Sequence, residues 1–289
     1  MLFRTLLFIP GNNERFIKKS ETLDADILCF DLEDSVPVNE KDKARNFIKI
    51  HSKQNLERKS GSCAYVRINS VESGMARKDL SEVVNMGIDG IVIPKVDDVK
   101  EVVEVSDLVK ELEEENGIIQ GRIRLIPSIE TAKGVVNTYS ISRADQRVVA
   151  VVFGVFDFLH DMEIEDYSDL GSYSYARSKI AVDAKAAGIS SIDAIWQDVH
   201  DISGLISDAR EARKLGYSGK SLIHPSHIKP VHEVFLPTIK QIEWAKKVVN
   251  ALKEAMEEGR GAGAIELEGK MIDSVHYKQA KAVLEMTKN

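Results

Sequence analysis

The chain has 289 residues, 43% of them hydrophobic and 29% charged, with a formal net charge of −7 at pH 7. That length suits one large barrel or two ordinary domains, and the acidic balance argues against general nucleic-acid binding. No apolar run is long enough to span a bilayer.

The N-terminal stretch MLFRTLLFIPGNN is apolar but contains Arg4 and lacks a cleavage-like end, so it reads as a first strand rather than a signal peptide. From there strand-like and helix-like runs alternate. Strand candidates cover residues 4–10, 26–32, 63–68, 90–94, 122–127, 147–153, 190–196 and 220–225. Their continuous apolar character fits parallel strands covered on both faces. Helical segments follow around 14–23, 40–51, 76–86, 99–116, 131–139, 175–187, 202–215 and 239–257. Eight alternations predict a (β/α)₈ barrel over residues 1–258. An open doubly wound sheet is the alternative, and no G-x-G-x-x-G follows the first strand to support dinucleotide binding on it. Cys29 and Cys63 fall inside predicted strands without metal-type spacing and fit reduced core thiols of a cytoplasmic protein. Past residue 258 the stretch GRGAGAIELEGKMID is glycine-rich and short of periodicity, and a final helix follows at about 274–288. This 259–289 arm either caps the barrel mouth, reaches a neighbouring subunit, or is a packed surface loop with a docking helix.

Barrels of this kind carry their chemistry at the carboxyl ends of the strands. The fifth and sixth strands lead into Glu130 and Asp157, with a helix-like segment between them. Parallel neighbouring strands would place both carboxylates on one edge, where without a cation each raises the other's pKa. A hard divalent ion, Mg²⁺ or Mn²⁺, resolves the repulsion, with substrate oxygens and water completing its shell. The competing reading is a helix-capping glutamate and a turn aspartate. The other strand ends deliver Asn12 and Asn13, then Asp31, Glu33 and Asp34, then Arg67, Lys95, Asp198 and His224. An arginine ending an apolar strand is costly unless it meets an anion, which makes Arg67 a candidate for a substrate carboxylate; its structural alternative is pairing with Glu33 or Asp34. Arg4 reads as a structural partner of those same carboxylates. Lys95 either meets an anionic substrate or pairs with Glu130. His224 is either a base or a histidine before proline bonded to backbone. No Ser/His/Asp or Cys/His set is arranged for nucleophilic catalysis.

The segments RTLLFIPGN, DLEDSVP with Lys43-Ala44-Arg45 downstream, YVRIN, GIVIPKV, IPSIETAKGVVN, FGVFDF, GKSLIHPSHI and GKMID occur in that order across nearly the whole chain. As an ordered set they resemble the citrate lyase beta-subunit-like family, a branch of the HpcH/HpaI aldolase superfamily that also includes malyl-CoA and citramalyl-CoA lyases. The resemblance implies a (β/α)₈ barrel in homotrimers or hexamers, Mg²⁺, and a coenzyme A thioester cleaved reversibly to an acyl thioester and an oxo-acid. Matched motif by motif, it implies that Glu130 and Asp157 bind the metal, that Arg67 binds the oxo-acid, and that Asp34 holds water on the metal. It also implies that Asp273 of GKMID enters a neighbouring subunit's site, where it would donate a proton to the departing enolate. Without the resemblance, Asp273 reads as an ordinary helix N-cap. Asn12, Asn13, Arg15 and Lys19 surround the first helix N-terminus and suit the phosphates of coenzyme A, against a plain amphipathic helix with Phe16 and Leu23 as its core face. One departure concerns the pocket: many relatives carry an acidic residue where this chain has Phe156. The alternatives to a stand-alone lyase are a citrate lyase beta subunit acting on citryl-acyl carrier protein, a malyl-CoA thioesterase or malate synthase-like enzyme, and a non-enzymatic assembly subunit.

Overall fold

The apolar runs find their burial by closing on one another. In the computed structural model, which describes residues 3–54, 61–85, 87–165, 173–257 and 263–286, eight parallel strands form a closed barrel in chain order. They are β1 (Thr5–Pro10), β2 (Ile27–Asp31), β3 (Cys63–Arg67), β4 (Gly90–Ile93), β5 (Arg124–Ile129), β6 (Ala150–Phe153), β7 (Ser190–Asp193) and β8 (Gly219–Leu222), and β8 pairs back onto β1. The expected barrel is the observed one. Side chains from successive strands fill its interior, among them Leu6, Ile27, Cys29, Tyr65, Ile126 and Ile192, so the barrel is a packed core and not a channel. Tyr65 explains Gly90, since a Cβ there would lie 2.1 Å from the phenol ring. Cys29 is fully buried within this core, and burial pushes its thiol pKa up.

The surrounding helices are α1 (Glu14–Ser20), α2 (Lys41–Gln54), α3 (Ala76–Val83), α4 (Val99–Glu115), α5 (Ala132–Ser142), α6 (Val155–Asp161), α7 (Ser174–Ala187), α8 (Ile202–Leu215) and α9 (Ile228–Phe235). Two of them, α6 and α9, are not in the sequence reading. The α6 segment continues the apolar run of β6 without a polar break, and periodicity cannot divide such a run into strand and helix. Buried ion pairs fasten the outer layer to the barrel. Arg177 on α7 grips Asp193 at the end of β7 with two bonds of 2.9 and 2.7 Å, and Lys220 on β8 donates to the same carboxylate at 2.7 Å. Asp208 on α8 completes the cluster through both cations. Arg4 departs from expectation: it binds Asp26, before β2, at 2.6 Å, because both residues lie at the amino end of the barrel.

The chain divides into two compact units, Met1–His232 and Glu233–Asn289. The second contains α10 (Ile239–Glu257), the antiparallel hairpin β9 (Ile265–Leu267) and β10 (Lys270–Ile272), and α11 (Ser274–Glu285). Val248, Leu252, Ile272 and Ala280 form its core. The hairpin is a feature the sequence reading missed. Its two-residue turn, Glu268-Gly269, has φ of 50° and 75°, the left-handed pair that tight hairpins require. The available signal was the Glu-Gly pair at the turn. Gly259 and Gly261 of the expected arm, and residues 287 and 288 of the expected final helix, lie outside the described residues.

Candidate active site

A cavity of about 420 Å³ opens at the carboxyl ends of the barrel strands, and Asp31, Asp34, Arg67, Glu130, Phe156 and Asp157 line it. Strand register begins the arrangement. Asp31 and Arg67, the last residues of β2 and β3, are direct partners in the sheet. The Arg67 fork therefore closes on Asp31, with Nε donating to Oδ1 and Nη2 to Oδ2, each at 2.7 Å. Asp31 also accepts the backbone N–H groups of Glu33 and Ser35. Burial pushes the Asp31 pKa up, but the charge and hydrogen bonds of Arg67 outweigh it and hold the carboxyl below its ordinary value. The remaining nitrogen, Nη1, lies 3.1 Å from Glu33 and 3.4 Å from Asp34, and the guanidinium stacks 4.7 Å from the Phe8 ring centre. The structural pairing expected with Glu33 or Asp34 is thus present, with Asp31 as the main partner.

Glu130 directly follows β5. It does not cap α5: Thr131 does, its hydroxyl accepting from the backbone N–H of Gly134 at 2.9 Å. Glu130 is only 2% exposed, and its Oε2 is buried without a hydrogen-bond partner. Burial first, then the nearby charges of Glu33 and Asp157, push its pKa up to about 7 against the opposing effects of Ser128 and Arg67. The turn between β6 and α6 makes room for it. A Cβ on Gly154 would lie 2.5 Å from Glu130 Cγ and 2.9 Å from Cδ, so glycine is what allows this close approach. Three residues on, the first turn of α6 carries Asp157 into the same cavity.

Lys95 follows β4 and has a left-handed φ of 52°, a conformation unusual for a side chain of its kind. Its ammonium lies 2.8 Å from Glu33, 3.4 Å from Asp34 and 3.5 Å from Asp157. The suggested pairing with Glu130 is not formed. Glu33 is 8% exposed, and burial pushes its pKa to about 7 in spite of Arg67 and Lys95. The rim therefore gathers Asp31, Glu33, Asp34, Glu130 and Asp157 around two cations, Arg67 and Lys95. Sequence reasoning gave no role to Asp31, Glu33 as a buried charge, or Gly154; the pairing of strand ends across β2 and β3 was the available clue to Asp31. Among the described residues no three His, Cys, Asp or Glu side chains converge on a common metal position.

The first βα turn is partly committed. Asn13 caps α1 by accepting from Phe16 N–H at 3.2 Å, and Asn12 donates to Glu40 at 2.5 Å. Arg15 stacks 5.5 Å from the Phe16 ring centre, and Phe16 is 41% exposed rather than on the core face, which Ile17 and Ser20 supply. Lys19 lines a slot of about 220 Å³ by the ends of β1 and β8, which shares Phe8, Pro10 and Ile223 with the main cavity. His224 caps the short 3₁₀ turn Pro225–His227, bonded to Ser226, as its local reading held. Asp273, in the second unit, is the N-cap of α11. It accepts from Val275 N–H at 2.9 Å and lies 2.7 Å from the His276 imidazole, and these bonds, that of His276 foremost, hold its carboxyl below the ordinary value.

With this geometry established, similarity to known proteins carries weight. The family model described as HpcH/HpaI aldolase/citrate lyase matches residues 4–225. The citrate lyase subunit beta of Leuconostoc mesenteroides subsp. cremoris is 34% identical over 285 residues, covering 99% of this chain and 93% of that protein. The mitochondrial citramalyl-CoA lyase of Rattus norvegicus is also 34% identical, covering 98% and 85% respectively. Among solved structures, protein CitE from Mycobacterium tuberculosis, in complex with magnesium, acetoacetate and coenzyme A, superposes with a TM-score of 0.81 at 26% identity, covering 100% of this chain and 99% of that one.

Proposed function

We propose that this chain, which belongs to the HpcH/HpaI aldolase/citrate lyase family of carbon–carbon lyases, reversibly cleaves a 3-hydroxy-3-carboxyacyl thioester to an acyl thioester and an oxo-acid with the aid of Mg²⁺ or Mn²⁺. The observation that carries this reading is the buried Glu130 carboxylate, with one oxygen unpartnered, in a cavity it shares with Asp157 and Arg67. Those residues fit a hard divalent cation: the donors are carboxylate oxygens, one lacks any partner, and the rim holds more carboxylates than cations. The ion when bound supplies Lewis-acid polarisation of the substrate's hydroxyl and adjacent carboxylate oxygens.

The chain's own residues supply the rest. Arg67, its fork fixed on Asp31 and its face on Phe8, presents Nη1 to the substrate carboxylate in a set orientation, so little freedom is lost on binding. Asp34, whose side chain is 49% exposed, holds water at the edge of the cavity. Asp273, acting from a neighbouring subunit of a homotrimer or hexamer, gives the departing carbon its proton in cleavage and removes it in synthesis. Arg15 and Lys19 take the phosphates of coenzyme A, with Asn12 and Asn13 shaping the turn, and the slot beside Lys19 leads from there to the main cavity. Cys29 and Cys63 are not joined in a disulfide, which suits a reducing, cytoplasmic setting, and among the described residues no helix is long and apolar enough to cross a membrane.

A second reading, a citrate lyase beta subunit working on an acyl carrier protein, is favoured by the Leuconostoc relative. One experiment separates the possibilities. Acetyl-CoA and propionyl-CoA are incubated with glyoxylate, pyruvate and oxaloacetate in Mg²⁺, and products are weighed by mass spectrometry. The expected product is a hydroxy-carboxyacyl-CoA that disappears when EDTA is added. Free coenzyme A as the main product would favour the thioesterase, and no new carbon–carbon bond with any pair would refute a stand-alone lyase.

A further inference from the structure

The main cavity continues past its reactive end. Val155, Phe156 and Ile195 line it and also line a second cavity of about 280 Å³, which Leu159, Tyr173 and Trp196 extend beside α6 and the end of β7. Leu159 is 1% exposed and Tyr173 8%. Trp196 packs closely on the first turn of α8: a Cβ on Gly204 would lie 2.4 Å from its indole ring. The polar end of this side cavity is Gln197 and Asp198, the latter an anion already accepting the backbone N–H groups of His200 and Asp201. No lysine or arginine lines it among the described residues. Arg67 belongs to the main cavity, Lys95 is held within 3.5 Å of Glu33, Asp34 and Asp157, and Lys19 belongs to the slot beside β1 and β8.

We infer that this side cavity receives the substituent that the oxo-acid contributes to the substrate, and that it selects a short alkyl chain of about two to four carbons over a carboxymethyl group. The inference rests on the lyase reading above and names its substrate class. Position supports the assignment. Val155 and Phe156 immediately precede Asp157, so the cavity begins beside the carboxylates that would hold the carbon bearing the hydroxyl and carboxyl groups. The slot toward Lys19 leaves from the β1–β8 side and is free for the thioester arm. Size supports it too, since a water-sized group occupies about 30 Å³, and 280 Å³ takes several groups of that size. Charge decides the selectivity. A second carboxylate would lose its water among Phe156, Leu159, Ile195 and Trp196 with no cation to meet it, and Asp198 would repel it. The indole N–H of Trp196, buried and without an acceptor, is a single neutral donor and does not offset that cost.

The test measures kcat/KM for the full-length Mg²⁺ enzyme with acetyl-CoA and, in turn, glyoxylate, pyruvate, 2-oxobutyrate, 2-oxovalerate and oxaloacetate. Each buried methylene is worth about fourfold, so 2-oxovalerate should exceed pyruvate by about tenfold or more, and oxaloacetate should fall at least about 100-fold below 2-oxobutyrate. Leu159→Phe, which fills the side cavity, should lower the ratio of 2-oxovalerate to glyoxylate kcat/KM by about tenfold. A binding measurement stands in if that variant folds poorly. The chain has two tryptophans, so in a Trp244→Phe background 2-oxovalerate should change the emission of Trp196 and bind more tightly than glyoxylate. Equal use of glyoxylate and 2-oxovalerate, or a preference for oxaloacetate, overturns the side-cavity assignment and leaves the lyase reading standing. Condensation with none of the five overturns both.

Discussion

Replacing Glu130 by Gln should make the metal-free protein more stable while removing its metal site. The substitution keeps the shape of the side chain and deletes its charge. In the metal-free fold the Glu130 carboxyl is 2% exposed, with Oε2 unpartnered. Burial, reinforced by Glu33 and Asp157, raises its pKa from an ordinary 4.5 to about 7. The sign follows from where the proton is held. Below about pH 4.5 both folded and unfolded chains keep it, and the group contributes nothing. Between 4.5 and 7 the unfolded chain releases it while the folded one does not, so each pH unit of rise costs about 1.4 kcal/mol. Above pH 7 the full penalty is present, roughly 3 kcal/mol, less whatever the new amide loses by being buried. In EDTA at pH 8 the Gln variant should therefore resist urea better than the parent by on the order of 2 kcal/mol, and the gap should close toward pH 5. Added Mg²⁺ should then stabilise the parent and leave the variant unmoved. A Gln variant no more stable than the parent at pH 8, or a gap independent of pH, would show that Glu130 is not held as a destabilised buried carboxylate.

Four further outcomes are expected. Gly154→Ala places a methyl 2.5 Å from Glu130 Cγ, which must move by about 1 Å to reach ordinary contact; calorimetry should show Mg²⁺ affinity reduced about 10- to 100-fold, and parental affinity would remove the glycine from the site. Arg67→Lys should be nearly as damaging as Arg67→Ala, with a loss of roughly 2–4 kcal/mol in kcat/KM, because an ammonium cannot keep both bonds to Asp31 and still face the substrate; near-parental turnover would make Arg67 a structural partner only. Lys220→Met leaves Asp193 and Asp208 to share Arg177 and should cost about 3–5 kcal/mol at pH 7 by urea unfolding, a smaller loss meaning that Arg177 suffices. Asp273→Asn retains a capping side chain, so the melting temperature should hold while condensation is severely impaired; mixed oligomers with Asp157→Ala subunits should regain activity, and a fully active Asn variant would reduce Asp273 to its cap.

The barrel was legible because each strand is a short, continuous apolar run with a helical stretch behind it, and eight such pairs leave few alternatives. Glu130 and Asp157 were legible for the same reason, as charged residues placed just past such runs. What escaped notice depends on registration and contact. That Asp31, not Glu33 or Asp34, takes the Arg67 fork follows from its sitting opposite Arg67 in the β2–β3 ladder, and a linear sequence does not display that neighbour. Gly154 looks like any glycine after a strand until a Cβ is set against Glu130. Arg4 pairs with Asp26 and not with Glu33 or Asp34 because it starts its strand, whereas those carboxylates lie past the finish of theirs. The β9–β10 hairpin was hidden by its length, three residues a side, too short for periodicity to register.

The distribution of buried charge separates scaffold from site. Away from the cavity, three groups of buried cations and anions balance. Arg45 meets Asp79 at 2.6 Å, Arg147 grips Glu113 with two bonds, and Arg177 and Lys220 share Asp193 and Asp208. These clusters join neighbouring elements, and each would cost stability if one member were lost. At the carboxyl rim the balance fails. Arg67 is consumed largely by Asp31, and Lys95, held in a left-handed conformation, is divided among Glu33, Asp34 and Asp157. Glu130 has neither cation as a partner, and both it and Glu33 are driven toward neutrality. A fold that pairs those buried charges so closely has the means to pair these. Leaving them unpaired costs stability in the metal-free protein, and on the proposed reading a divalent cation would recover it. That strain lies where a bound ligand would relieve it. For that reason the unpartnered oxygen of Glu130, more than the number of acidic residues nearby, supports the proposed reactive end of the barrel.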